Sequence, residues 1–463
     1  MDKKTTIYLS LGTLLALASC SQENPGDGAP RAEDNIEDNR IYFRSYLPSV
    51  TESRAGIVDT DKFNYCQVTC LNPDDDTLTD PATGEMTPYF TDIRFAKEEN
   101  GRFISQGTDT CKWPDSQSRL HFFAYHPSLT EMNHTGSGDY FNLINSSTSK
   151  DGNLTLDYRL KGFKVATEIA KQVDFLSAYA SGSASESATS GIALDFKHQM
   201  ARVELSAWSG SDKYDFDIAG VRIGNAITEG DFHFPNGLGE EYPWSGTEGK
   251  TAPVEHIFTA GESIVKLSKQ SGMHASENDA ASVMGSAGPA MVIPMKNRIE
   301  AWEGKSDPAI SNIPYTTDRL YFSLLVKVTN LDGETVYPYP NDKDNIPQVY
   351  LAVEDGKVNR RVYRFDGAYY TSDHKDETYI YSPKANEEIL GFCWAALPVA
   401  AKWEAGKIYG YKLNYSNGIG WQDPDDPNPG DPIIERGRIP FEVTVAEWTP
   451  ATDYNPDLEV PKR

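Results

Sequence analysis

The sequence predicts an all-β protein made of β-sandwiches. Apolar and polar residues alternate over short runs, Gly, Pro, Asn and Asp separate the runs, and convincing helical periodicity is rare. Alternation places every second side chain on one face, which is the pattern of a half-buried strand, and many such strands in succession make packed sheets. The clearest runs are Leu154–Tyr158, Ala201–Leu205, Leu320–Leu324 continuing to Val326 and Val328, Tyr409–Leu413 and Phe441–Val445.

The chain opens differently. Lys3 and Lys4 supply a positive start, Ile7 to Ala18 an apolar stretch too short for a bilayer span of about 20 residues, and Leu17-Ala18-Ser19-Cys20 a small-residue box ending in cysteine. This predicts a lipoprotein signal peptide over residues 1–19, cleavage before Cys20 and lipidation of its thiol. Residues 20–40 are rich in Glu, Asp, Asn, Gly and Pro and read as a lipidated, disordered tether, with order beginning near Ile41. No later segment offers the 18 or more consecutive apolar residues of a membrane helix, so the lipid on Cys20 is the expected membrane attachment.

Forty-three Lys plus Arg against 68 Asp plus Glu give a formal charge of −25, and loss of the signal makes the chain one unit more negative. A field of that sign repels phosphate backbones and anionic headgroups, so no nucleic-acid partner is expected. Beyond Cys20, the cysteines are Cys66, Cys70, Cys111 and Cys393. Cys66 and Cys70 fall on one face of a strand, about 13 Å apart, beyond the roughly 7 Å Cα limit for a disulfide. They read as buried and unpaired. The disulfide state of the four stays open.

Tracts that suggest chemistry have plainer readings. There is no Gly-x-Ser-x-Gly elbow, His-Glu-x-x-His, Cys-x-x-Cys or phosphate loop, so no catalytic residue, cofactor or metal site is expected. Ser147-Thr148-Ser149-Lys150 matches Ser-x-x-Lys without its companion elements and reads as a loop. Asp74, Asp75 and Asp76, and Asp423, Asp425, Asp426 and Asp431, supply oxygen ligands but lack the spacing of an EF-hand, so they read as solvated acidic loops. His198 reads as a hydrogen-bonded structural histidine, and Trp403 and Trp448 as packing against sandwich edges. In Leu120–Tyr125 both alternating sets are apolar enough for a strand buried on its two faces.

The small, polar run Ala180–Gly191 is the clearest seam and reads as an exposed linker. It divides an N-terminal sandwich domain, 41–180, from a C-terminal one, 191–448, decorated by loops at Ser268–Pro289 and Asp423–Pro432. A polar tail follows at 449–463.

These landmarks resemble a known family. Tyr42-Phe43 with Ser53-Arg54-Ala55, Trp113-Pro114 before Leu120–Pro127, Asp174–Ala178, Leu194–Val203, Val292-Ile293-Pro294, Trp403–Tyr411 and the closing Val443–Trp448 follow the order seen in fimbrillin-family (Mfa-like) lipoproteins of the Bacteroidetes. The resemblance implies two tandem transthyretin-like sandwich domains and a structural or adhesive role in surface fimbriae. The implied location is the outer membrane and cell surface of a Gram-negative bacterium, with other pilus subunits as partners by β-strand donation and a receptor the sequence does not identify. It also implies proteolytic processing between Arg54 and Ala55, which would remove a first strand whose inner face is Ile41, Phe43 and Leu47. Arg31-Ala32 is an equally good site in the tether. The tail after Trp448 carries prolines and makes a poor donor strand; Ile439–Trp448 has the right alternation for one, or for the last resident strand. This favours a tip, accessory or anchor subunit over a bulk stalk subunit. The alternative is a surface glycan-binding lipoprotein, since aromatic residues make up 11% of the chain and aromatic faces on loops suit sugar stacking.

Overall fold

A computed structural model describes residues 39–46, 63–78, 80, 86–105, 111–132, 142–150, 153–187, 190–235, 243–301, 319–339, 346–373, 379–425, 429–434 and 439–448. Among these residues the protein is all-β, with strands arranged in four sheets and helices limited to single turns. The chain from Asn39 onward forms one compact unit.

The first sheet has eight strands, ordered Lys197–His198, Leu176–Gly182, Leu120–His126, Tyr65–Leu71, Phe90–Lys97, Arg102–Ser105, Tyr42–Tyr46 and Ile192–Asp195. Neighbours run antiparallel except the last pair, where Phe43 to Tyr46 lie parallel to Ile192 to Asp195. The two edge strands are separated in sequence by a single residue, Phe196. The sheet therefore curls until its edges meet, and its interior is filled by Phe43, Cys66, Val68, Cys70, Phe95, Phe103, Phe122 and Phe196, all buried.

The strand Leu120–His126 is buried on both faces, as its composition predicts. Phe122 and Ala124 point into this first core, whereas Phe123 and Tyr125 belong to a second, larger one. That second core is partly built by a four-stranded sheet, Trp244–Ser245, Glu229–His233, Asn153–Lys164 and Asn142–Lys150. Its aromatic residues interlock: Phe163, Phe175, Phe232, Phe234 and Trp244 lie with ring centroids 4.8–6.4 Å from aromatic neighbours. Ser147–Lys150 lies in the Asn142–Lys150 strand, paired antiparallel with Asn153–Leu156, and not in a loop.

The remaining sheets share that larger core. In the five-stranded sheet, Ala201–Trp208 lies parallel to Lys407–Asn414, which pairs in turn with Phe441–Glu447; Ala281–Ser282 and Ala290–Val292 flank the other side. Opposite lies a ten-stranded sheet whose centre is Tyr214–Ile227, Tyr321–Asn330 and Glu388–Pro398. Val203, Leu205 and Leu413 from one sheet meet Ile218, Ile223, Phe322 and Val326 from the other. The centre of the ten-stranded sheet is buried behind as well, where Ala219, Leu325, Leu351, Phe392 and Trp394 form a third cluster. Such double burial explains why Tyr214–Ile227 loses its polar alternation over most of its length.

The polar seam Ala180–Gly191 is not an exposed linker. Its first residues complete the strand Leu176–Gly182, and Ser183, Ala184 and Ser187 are buried. Chain on its two sides is interleaved: Ile192–Asp195 closes the first sheet against Tyr42–Tyr46, and Glu229–His233 pairs with Asn153–Lys164. Small hydroxyl side chains suit tight packing as well as solvent, which is why composition alone misleads here. The Ser268–Pro289 stretch likewise does more than decorate, because Val283, Met284 and Ala287 sit in the large core.

Candidate assembly surfaces at the terminal strands

Tyr42–Tyr46 is held on both sides, antiparallel to Arg102–Ser105 and parallel to Ile192–Asp195. Ile41 and Phe43, the expected inner face, are fully buried. The Phe43 ring meets Phe95 and Phe122 edge-on, with centroids 4.8 and 5.1 Å away and interplanar angles of 76° and 79°. On the outer face, the Arg102 guanidinium lies over the Tyr42 ring at 4.7 Å. Gly191 allows that ring to approach: its φ is +71°, and a Cβ there would stand 2.5 Å from Tyr42. Asn39 fastens the entry to the strand, its side-chain amide donating to the Trp113 carbonyl at 2.9 Å. Removing this strand would open a slot between Arg102–Ser105 and Ile192–Asp195, lined by aromatic side chains and by backbone groups without partners. Cys20, Leu47, Arg54 and Ala55 lie outside the described residues, as do Arg31 and the tail 449–463.

The last described strand contrasts with the first. Phe441–Glu447 makes a regular antiparallel ladder with Lys407–Asn414 and is an edge of its sheet. Its alternation predicts a half-buried strand, yet residues 442–447 are all exposed, with Val443 44% and Val445 58% accessible. Side chains anchor its ends, and at its middle the Thr444 hydroxyl donates to the Gly410 carbonyl at 3.3 Å. Phe441 packs on Tyr411 at 5.8 Å, Glu447 pairs with Lys407, and the buried Trp448 stacks on the His198 ring at 3.7 Å and 11°. His198 is buried and faces the Asp174 carboxylate at 2.8 Å, so its setting is structural. Trp403, by contrast, is core: it is fully buried and its indole N–H donates to the Tyr411 hydroxyl at 2.9 Å.

Asp423 corrects the reading of its segment as a solvated loop. It is completely buried and accepts hydrogen bonds from Arg222 Nη1 at 2.9 Å, from the Ser323 hydroxyl and from the Asp425 N–H at 3.0 Å. Arg222 also pairs with Glu255 and Asp425, each at 2.8 Å, and its guanidinium lies 4.4 Å from the Trp394 ring centroid. Burial raises the Asp423 carboxyl above the usual range, against the opposing pull of Arg222. The acidic segment is thus pinned to the sheet. Arginine at the centre of an apolar strand, Val221-Arg222-Ile223, is the sequence signal that such a partner exists. Asp75 serves a local turn, accepting from the backbone N–H of Thr77 at 3.0 Å, and Asp74 ties its loop to a distant segment, accepting from the backbone N–H of Arg119 at 2.8 Å.

All four described cysteines are buried, and no disulfide joins any two of them. Burial pushes the thiols of Cys66 and Cys70 upward, away from the reactive thiolate form. No helix among the described residues is long and apolar enough to cross a membrane.

None of the curated proteins matches the chain. Among solved structures, a fimbrial protein from Bacteroides vulgatus is 10% identical, with 89% of this chain and 99% of that one covered at a TM-score of 0.45. A candidate cell adhesion protein from Bacteroides ovatus is 14% identical, with 88% and 97% covered at 0.35. One from Parabacteroides distasonis is 11% identical, with 88% and 98% covered at 0.37. A fimbrillin-like family model matches residues 75–448. That span takes in most of the chain, including the strands of the first sheet from Phe90–Lys97 onward along the sequence and the edge strand Phe441–Glu447, and the protein belongs to the fimbrillin-like family.

Proposed function

We propose that the protein is a structural or adhesive subunit of cell-surface fimbriae, exported as a lipoprotein through Cys20 and joined to its neighbours by strand exchange. The family supports a fimbrial or adhesion subunit at the cell surface. The observation that carries the mechanism is the setting of Tyr42–Tyr46: of the first and last described strands, it is the one held on both sides with Phe43 filling a core. Cleavage between Arg54 and Ala55 would free it. The vacated slot would then offer unpaired backbone and an apolar floor to a strand from another subunit, the chemistry of β-augmentation. With its last strand resident in its own sheet, the subunit fits a tip, accessory or anchor position, lipid-held at the outer membrane.

The test is limited trypsin treatment of the purified full chain, followed by N-terminal sequencing and native gels. The expected result is a new terminus at Ala55 together with oligomer ladders, and neither in an Arg54→Gln variant. A chain that is cut at Arg54, loses its first strand and stays monomeric would refute the exchange.

A further inference from the structure

The strand Lys357–Phe365 carries Arg360, Arg361 and Arg364 within a chain of net charge −25. No carboxylate among the described residues pairs with any of the three. Their contacts are aromatic: Arg360 lies over Tyr381 at 5.4 Å, Arg361 over Tyr363 at 5.2 Å, and Arg364 beside both Tyr350 and Tyr369 at 5.9 Å. Arg364 also donates to the Tyr350 hydroxyl at 3.4 Å. The rings are braced by one another, Tyr350 on Tyr369 at 5.6 Å and Phe365 on Tyr370 at 5.5 Å. Beside them opens a cleft of about 500 Å³ walled by Ile346, Tyr350, Arg361, Tyr363, Arg364 and Phe365, with Asp366 the acidic residue in its lining. Ile346 at its mouth is 62% exposed.

We infer that this cleft binds an acidic carbohydrate, a sugar bearing carboxylate or sulfate. Strand-held tyrosines present faces on which a sugar ring packs at small cost in side-chain entropy. An arginine held over a ring still turns guanidinium N–H groups toward solvent, and the planar fork is the geometry that grips a carboxylate or sulfate in two parallel bonds. Uncompensated arginines on an acidic protein also concentrate attraction at one place. The opposing ligand class is single-stranded nucleic acid, which aromatic and basic grooves bind too. It fits less well, because the cleft holds two arginines, Arg361 and Arg364, which suit one or two anionic groups on a packed sugar, whereas binding a phosphate backbone draws on a longer basic track. This inference goes beyond fimbrial assembly and stands independently of strand exchange.

Equilibrium binding of the purified full chain is measured against polygalacturonate, chondroitin sulfate, neutral dextran, polyglutamate and oligo-deoxythymidine. Binding to polygalacturonate or chondroitin sulfate is expected, weakening with salt, and their order tells carboxylate from sulfate. Arg361→Ala and Arg364→Ala should each weaken it about tenfold, the effect of losing one charge-assisted pair, with Arg364→Lys restoring only part. Tyr363→Ala should weaken saccharide binding with Arg361 still present. The arginines are exposed, so the melting temperature should not move. Equal binding to dextran, polyglutamate or oligo-deoxythymidine, wild-type affinity in the arginine variants, or no saccharide binding would each overturn the inference.

Discussion

Truncating Phe43 to alanine tests whether the first strand is a separable unit. The side chain is fully buried and makes two edge-to-face aromatic contacts. Loss of a buried phenylalanine costs about 3–5 kcal/mol, of which each ring pair contributes about 0.5–1.5 kcal/mol beyond area burial. Where that cost falls is the informative part. If the strand detaches while the remaining fold persists, the variant should raise the local opening rate at its neighbours, segments 102–105 and 192–195, by on the order of a hundredfold or more, since 1.4 kcal/mol is a factor of ten. The midpoint of global unfolding should fall much less. Native-state hydrogen exchange read by mass spectrometry separates the two. If those segments exchange only through global unfolding in both proteins, the first strand is an ordinary part of the core, and a processing event that removes it would destroy the fold.

The other predictions concern the same body. Gly191→Ala adds a Cβ 2.5 Å from the Tyr42 ring at φ +71° and should destabilise the first strand by about 1–3 kcal/mol, raising the exchange of segments 102–105 and 192–195. Asp423→Ala leaves Arg222 without its buried partner and should cost about 3–5 kcal/mol in urea unfolding. Burial lowers the pKa of His126 to about 4, so the folded state resists protonating it. Its contribution is complete above the unfolded pKa near 6.5 and is lost progressively as pH falls toward 4, about 3 kcal/mol in all; His126→Gln should flatten that segment of the stability-versus-pH curve.

Periodicity made much of this fold legible. Every alternating run read from the residues is a strand, and Leu120–His126 is buried on both faces because both of its alternating sets are apolar. What periodicity does not contain is pairing. Nothing local tells Ile192–Asp195 to lie parallel to Tyr42–Tyr46, or Glu229–His233 to join Asn153–Lys164 across a polar seam. Side-chain chemistry likewise depends on partners distant in sequence: Asp423 looks like one of several solvated acids until Arg222, 201 residues away, is brought against it. Exposure of Val443 and Val445 was hidden for a related reason, since alternation reports a capacity for burial and the five-stranded sheet leaves that edge uncovered.

The two terminal strands differ in what holds them, and the difference bears on position in a fibre. Tyr42–Tyr46 depends on buried Ile41 and Phe43, so any replacement strand must present apolar side chains two residues apart to refill the slot. Val443 and Val445 have that spacing and stand exposed. To reach a neighbour, however, their strand must leave the ladder with Lys407–Asn414, where net hydrogen-bond gains are about 0.5–1.5 kcal/mol each. It must also withdraw Trp448 from its stack on His198, a loss on the scale of about 3–5 kcal/mol for a buried tryptophan. Under the proposed strand exchange, a subunit so arranged would accept a strand readily and give one reluctantly. In a chain of subunits that each receive one strand and give one, the member that receives without giving occupies an end, which is where the proposed tip or anchor role places this protein.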